Sequence, residues 1–277
     1  MPAIPLEDNY TDVIGKAQRG LSLSDAELAR RAGLSSAQLG HFKDGAFDVE
    51  IARKVAVPLN LGPAALIELG QCSWYPAPVD VPGLAMFNTA YGDMTVNSYL
   101  VFDPNTKQAA AFDTGSSVAG MLDFARQGPL KIEFIFLTHS HPDHVADLSR
   151  LERAAAAPVY AGQGERFHAA QPLAPGKVFP LGNLKIETRQ TSGHARGGIT
   201  YVIAGLARRL AVVGDALFAA SMGGGIVSYE DALRTNRNAI FSLPDDTVIC
   251  PGHGPLTSVG EQKKHNPFYP EFQNRIV

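Results

Sequence analysis

Leu137-Thr138-His139-Ser140-His141-Pro142-Asp143-His144 places four metal-type ligands within six residues, directly after the apolar run Ile132-Glu133-Phe134-Ile135-Phe136-Leu137. A β-strand sends alternate side chains to one side, so His139 and His141 leave the strand end in the same direction. Pro142 suits the first turn of a helix, and His144-Val145-Ala146-Asp147-Leu148 carries a helical apolar spacing, which puts Asp143 and His144 on that turn. All four side chains can then reach one cavity. A lone histidine would read as a satisfied core residue. HxHxDH beside an exposed strand end instead offers imidazoles and a carboxylate, the donor set of a Zn²⁺ or Fe²⁺ site.

Three more ligand-type side chains stand at the ends of apolar runs. They are His194 in Thr191-Ser192-Gly193-His194-Ala195-Arg196-Gly197-Gly198, Asp215 in Val212-Val213-Gly214-Asp215-Ala216-Leu217, and His253 in Val248-Ile249-Cys250-Pro251-Gly252-His253-Gly254. A glycine beside each lets the backbone turn sharply, so that the side chain can swing into a shared cleft. Taken alone, Asp215 reads equally well as an ordinary turn aspartate. The seven together use five of the eight histidines; His41, His168 and His265 have no ligand-like context and read as surface or structural.

The chain of 277 residues suggests one large domain or two unequal ones, and 45% apolar residues suffice for a sizeable core. A net charge of −3 gives no reason to expect a polyanionic partner. No apolar run approaches the ~18 residues of a membrane span, and the first residues lack the basic start and apolar middle of a signal peptide. A cytoplasmic protein with no membrane partner is expected. Cys72 and Cys250 suggest neither a disulfide framework nor a zinc clip.

In the first seventy residues, Tyr10, Val13, Ile14 and Ala17 form the stripe of an amphipathic helix ending near Gly20. Ser24 with Glu27 and Ser35 with Gln38 are capping boxes opening helices over 25–32 and 36–43, with Gly33 as the turn between them. Further helices are expected over 49–58 and 63–69. The stretch from Leu23 to Gly45 resembles the phage-repressor type of helix-turn-helix domain, with Leu28, Ala29, Gly33, Leu34, Leu39 and Phe42 at its structural positions. That resemblance implies that Ser35, Ser36, Gln38 and His41 face DNA bases and Lys43 a phosphate, in a homodimer. Yet residues 1–70 hold seven basic side chains against nine acidic ones, so the module lacks a net charge that neutralises phosphates. Two readings stand: a DNA-binding module, or a helical module used for dimerisation or for covering the active site.

Residues 71–82 contain three prolines in seven positions from Pro76, an extended connector between a unit at 1–70 and one at 83–277. Strands are expected over 83–90, 97–102, 108–112, 158–161, 184–190, 199–204, 209–213 and 247–250, in addition to the metal strand. Helices are expected over 118–127, after the metal strand, over 229–242 and near Ser258, with a helical turn over 163–169. Strands first in a meander, then alternating with helices, argue for an α/β unit of two packed mixed sheets with helices outside.

THSHPDH, SGH, GD and PGHG, in this order, resemble the metallo-β-lactamase superfamily, and residues 252–268 are similar to its glyoxalase II-like hydrolases. The resemblance covers 83–277 and implies an αββα sandwich with the site at one edge of the sheets. It further implies two divalent metal ions, zinc first, with iron or manganese as alternatives. His139, His141 and His194 would hold one, Asp143, His144 and His253 the other, and Asp215 would bridge them. A water between two cations ionises near neutral pH and would attack a substrate carbonyl, with Asp143 as the catalytic residue that orients it and carries a proton to the leaving group. The expected activity is hydrolysis of a small thioester, lactone or ester. Glyoxalase II continues after its last histidine with a helical domain whose basic residues grip glutathione, whereas 24 residues follow His253 here, so glutathione thioesters are less expected. Phe87, Tyr91, Met222 and Tyr229 would suit an apolar acyl group and Arg196 an anionic one, though each reads equally as packing. Two other readings remain. One is a persulfide dioxygenase-like oxidoreductase with a single iron on His139, His194 and Asp215. The other is a metabolite-sensing DNA-binding regulator whose metal domain binds or destroys its effector.

Overall fold

Each of the first four helices begins where a side chain can take up its free N–H groups. In the computed structural model, which describes residues 4–165 and 170–273, Asn9 caps α1 (Tyr10–Gly20), Ser24 caps α2 (Asp25–Ala32), and Ser35 forms a reciprocal box with Gln38 at α3 (Ser36–Lys43). Gly33 ends α2 at φ 63°, a left-handed conformation that glycine adopts without a Cβ penalty. Asp48 caps α4 (Val49–Ala56), and Pro63 opens α5 (Pro63–Gly70). The helix expected over 49–58 stops at Ala56, because Pro58 lacks the N–H that would continue it.

The rest of the chain builds two sheets. It runs β1 (Leu84–Tyr91), β2 (Met94–Phe102), β3 (Gln108–Phe112), α6 (Ala119–Gln127), β4 (Lys131–Leu137), α7 (Pro142–Val145), α8 (Leu148–Ala155), β5 (Val159–Gly162) and β6 (Gln171–Leu173). Then come β7 (Val178–Leu181), β8 (Leu184–Gln190), β9 (Ile199–Ala204), β10 (Leu210–Gly214), α9 (Tyr229–Ala239), β11 (Val248–Pro251), β12 (Thr257–Ser258), α10 (Val259–His265) and α11 (Pro270–Gln273). Among the described residues, the first sheet is ordered β1-β2-β3-β4-β5-β6 and the second β12-β11-β10-β9-β8-β7. Both are mixed: β3 and β4 pair parallel, as do β10 and β11, while β1 with β2 and β8 with β9 pair antiparallel.

Side-chain alternation sorts the strands into layers. Tyr99, Val101, Phe112, Phe136, Ile186, Tyr201, Val212 and Cys250 fill the space between the sheets. Leu100, Ala111, Ile135 and Leu137 face outward against Met121 of α6 and Leu151 of α8. On the opposite outer face, Ala211, Val213 and Ile249 share one cluster with Ile240, Phe241 and Tyr269 and with Val13, Ile14, Leu28, Phe42 and Leu66 of the first helices. The architecture is therefore the expected αββα sandwich, with α1–α5 joined to the apolar layer over the second sheet. Fully burying a side chain such as Ile14 or Leu66 stabilises by roughly 1.5–3 kcal/mol.

Several local expectations change. The helix after the metal strand divides into α7 and α8, because Asp147 turns away: its carboxylate accepts from Val118 N–H, and its own N–H donates to Thr114 Oγ1. Of the helical turn over 163–169, residues 163–165 form a tight turn closed by Glu165 N–H on the Gly162 carbonyl, and 166–169, with His168, lie outside the described residues. The short strands β6, β7 and β12 have no counterpart in the sequence reading. Residues 71–82 run pinned to their surroundings: Trp74 stacks on His265 with ring centroids 4.5 Å apart, and Tyr75 Oη donates to the Ile4 carbonyl. Both cysteines are free. No described helix is long and apolar enough to cross a membrane.

Candidate metal centre

Because β3 pairs parallel with β4 and β10 with β11, the residues that follow these strands emerge at matching strand ends. These are Asp113, Thr138-His139, Asp215 and Gly252-His253. Two glycines make the approach possible. Gly214 sits at φ 52°, where a Cβ would lie 2.3 Å from Thr138 Oγ1, and a Cβ on Gly252 would lie 2.0 Å from Asp215 Oδ1.

All seven side chains singled out in the sequence as ligands meet here. Donor atoms of His139, His141, His194 and Asp215 lie within 4.8 Å of one another, and so do those of Asp143, His144 and His253. Asp215 faces both groups: Oδ2 is 3.5 Å from Nε2 of His194 and of His253 and 3.9 Å from His139 Nε2, while Oδ1 is 3.1 Å from His144 Nε2. Asp143 Oδ2 lies 3.2 Å from His253 Nε2 and 3.5 Å from His144 Nε2. His141 Nδ1 and His194 Nε2 are 3.0 Å apart.

The other nitrogen of four of these imidazoles is held from behind. His144 Nδ1 meets Asp113 Oδ2 at 2.9 Å, and the same carboxylate accepts from both the backbone N–H and the hydroxyl of Thr138. His139 Nδ1 lies 3.0 Å from Thr138 Oγ1, His194 Nδ1 2.9 Å from the Gly224 carbonyl, and His253 Nδ1 2.7 Å from the Thr95 carbonyl. Such outer contacts fix each ring and its tautomer, leaving Nε2 aimed inward. His139 Nε2, His144 Nε2 and Asp215 Oδ1 are buried without a hydrogen-bond partner; the last two are close but not aligned for one. An unsatisfied buried polar atom costs about 1–3 kcal/mol, so three of them converging on one point fit a cation.

The electrostatics agree. Burial holds His139 well below the usual histidine range and lowers His194, which favours the neutral, ligating form. Burial works against charge on His144 and His253 as well. The carboxylates of Asp215 and Asp113 outweigh it at His144, lifting it to about 10, and those of Asp143 and Asp215 lift His253 to about 11. Burial also opposes the Asp215 anion, but His144 and His253 hold its carboxyl well below the usual range.

A cavity of about 650 Å³ opens beside His141 and His194, lined also by Ser140, Glu165, Arg196 and Val227. Of the five residues proposed from the sequence to contact substrate, Arg196 alone lines it. Phe87 packs against the Phe124 ring and Gly120 on the helix side of β1. Met222 is fully buried with its sulfur 3.5 Å from Tyr269 Oη, and Tyr229 lies over Gly20 and beside Phe268, both as packing between the second sheet and the helices. Tyr91 stands partly exposed at the tip of the β1–β2 hairpin. At α3, Ser35 and Gln38 are engaged in the cap, Lys43 donates to Asp25 Oδ1 at 2.5 Å, and Ser36 and His41 are exposed.

Four further residues of the site take their roles from contacts that the sequence does not show. Asp113 and Thr138 anchor ligands. Glu165 accepts from Ser140 and from Gly197 N–H, tying the metal loop to the His194 loop. Glu7 Oε2 lies 3.9 Å from His253 Nδ1, and burial, partly offset by that histidine, pushes its carboxyl up to about 6. Asp113 could have been found by the rule that found Asp215, since it too ends an apolar strand. Nothing local marks Glu7.

The sequence pattern of the Metallo-beta-lactamase superfamily matches residues 91–253. Hydroxyacylglutathione hydrolase GloC of Haemophilus influenzae is 25% identical over 197 residues, which cover 62% of this chain and 92% of that protein. ETHE1 from Myxococcus xanthus matches in structure with a TM-score of 0.58 at 24% identity, covering 70% of this chain and 92% of its own. TTHA1623, solved in a di-iron-bound form, matches with a TM-score of 0.53 at 25% identity, over 66% and 99% respectively.

Proposed function

The chain belongs to the metallo-beta-lactamase superfamily, and from that premise we propose that it hydrolyses a small thioester, lactone or ester at a centre of two divalent cations, zinc in our reading. The observation that carries this is the division of the seven donors into two groups that share Asp215. Cations bound there would supply a Lewis acid for the carbonyl oxygen and an ionised water at neutral pH. The chain's own residues do the rest. Asp143, whose Oδ2 lies 3.5 Å from His144 Nε2 and 3.2 Å from His253 Nε2, would orient the attacking water through one oxygen and pass a proton to the leaving group. Arg196 at the cavity is suited to an anionic substituent, and the exposed Ile226 and Val227 beside it to an apolar one. GloC is named for a glutathione thioester, and this chain covers most of its length, so thioesters head the candidates.

The complete second trio of Asp143, His144 and His253 favours hydrolysis over a mononuclear iron oxidoreductase. Metal analysis of purified protein, followed by a panel of thioesters, lactones, esters and phosphodiesters, tests the choice. The expected result is about two zinc ions per chain and turnover of a thioester or lactone. About one iron per chain, with oxygen uptake on a persulfide, would replace this reading by the oxidoreductase one. We read the helix-turn-helix-like module as part of the enzyme rather than a reader of DNA, because residues 1–70 carry more acidic than basic side chains and its helices share the apolar layer over the second sheet. A salt-sensitive gel shift lost in Lys43→Ala would overturn that.

A further inference from the structure

The segment from Asp215 to Gly225 holds two ligands at once. It begins with Asp215 itself, returns so that Gly223 N–H donates to the Asp215 carbonyl at 3.0 Å, and then presents the Gly224 carbonyl to His194 Nδ1 at 2.9 Å. The His194 ring is thus tied to this segment through the Gly224 carbonyl. From the side of α9 and α10, three buried amides grip the segment: Asn236 donates to the Ala216 carbonyl, Gln262 accepts from Ala220 N–H, and Asn266 donates to the Ser221 carbonyl.

From the opposite side the grip comes from the start of the chain. Lys16 Nζ in α1 donates to the Met222 carbonyl at 2.9 Å and pairs with Asp8, whose carboxylate also accepts from Ser221 Oγ. Both charges are largely withdrawn from water, with side chains 14% and 9% exposed, and the ammonium lies 5.2 Å from the centre of the Phe218 ring. Charges so withdrawn from water are weak evidence of a stabilising role, since an apolar replacement of such a pair is often as stable. If Lys16 and Asp8 served only to dock α1, their partners could be any groups on the second unit. They are instead two consecutive residues, Ser221 and Met222, separated only by Gly223 from Gly224, whose carbonyl anchors His194.

We propose that Lys16, with Asp8, is a positioning residue for the metal centre: it fixes residues 221–224, hence the His194 ring, hence the cation shared by His139, His141 and His194. The inference rests on the metal-centre reading above. Because couplings of this kind are reciprocal, a cation on the His194 side also tightens α1 against the segment.

The test uses the full chain. Metal-free protein is titrated with zinc against a competing chelator, and with cobalt, whose visible spectrum reports ligand geometry. In Lys16→Met, affinity for one of the two cations falls about tenfold or more, the range for lost outer contacts, while the other is retained and the cobalt spectrum changes; Lys16→Arg restores most of both. Should Lys16→Met fail to fold, the neutral pair Asp8→Asn with Lys16→Met gives the same readout. Leu39→Ala, a buried change in α3 rather than in α1, lowers the thermal midpoint and leaves cation affinity intact. The proposal is overturned if the Lys16 variants lose stability yet bind both cations with wild-type affinity and spectrum. Zinc binding that is absent in the wild type, or unaffected by His194→Ala, would remove the metal-centre reading and this inference with it.

Discussion

Asp113 shows how much of a metal centre lies in side chains that never touch the metal. Its carboxylate takes three hydrogen bonds, from Thr138 N–H, from the Thr138 hydroxyl and from His144 Nδ1, and so fixes both the end of β4 and one ligand ring. Asp113→Ala would leave His144 free to rotate and Thr138 N–H unpaired in a buried place. We expect cation affinity to drop about 10–100-fold by chelator competition, and unchanged affinity would mean that packing alone orients His144. The ligands were legible in the sequence because their signature is local: histidines and aspartates gathered just after the point where an apolar run ends, with a glycine or proline close by. Asp113 also ends an apolar run but reads as a turn, and only partners 25 and 31 residues away reveal its role. Lys16 is 206 residues from the carbonyl it holds, and no spacing rule reaches that far.

At the scale of the element, helices announced themselves through caps and strands through alternation, and the misses share one cause. α7 and α8 part because Asp147 prefers partners in Thr114 and Val118, and β6, β7 and β12 are strands only by virtue of a neighbour to pair with. The pair α2–α3 carries a pH dependence of its own. Hydrogen bonds from Lys43 and Gln18 hold Asp25 below the usual carboxylate range, and Arg30 and Arg31 hold Glu27 down to about 2. Depressed carboxyl values stabilise the folded state above the ordinary values of 3.8 and 4.5, and that contribution is lost as pH falls through the depressed ones. The difference in thermal midpoint between wild type and Lys43→Ala should therefore be present near neutrality and shrink as the solution is acidified below those ordinary values. A difference that stays constant into that range would show that the Lys43–Asp25 contact does not persist in solution.

For the whole molecule, the order of strands and helices gave the sandwich, but the place of the first five helices was not written in any one stretch. The prolines of 71–82 read as an open connector, whereas Trp74 on His265, Tyr75 on Ile4 and the shared cluster of Ile14, Leu66, Val213 and Phe241 join the two ends of the chain. The joint can be tested by the sign of a single change. Gly20, in the last turn of α1, lies so close to α9 that a Cβ would fall 2.2 Å from the Tyr229 ring. On a helix end free in solution, glycine to alanine raises stability, by about 0.4–1 kcal/mol. On a docked one it overpacks, which costs about 1–3 kcal/mol. Denaturant unfolding of Gly20→Ala should show the loss, and in a Tyr229→Ala background most of that loss should vanish, because the ring that a new methyl would strike is gone. A gain in both backgrounds would mean that α1 stands away from α9. The bonds from Lys16 to Met222 and from Ser221 to Asp8 would then have nothing to hold them in register with the metal centre.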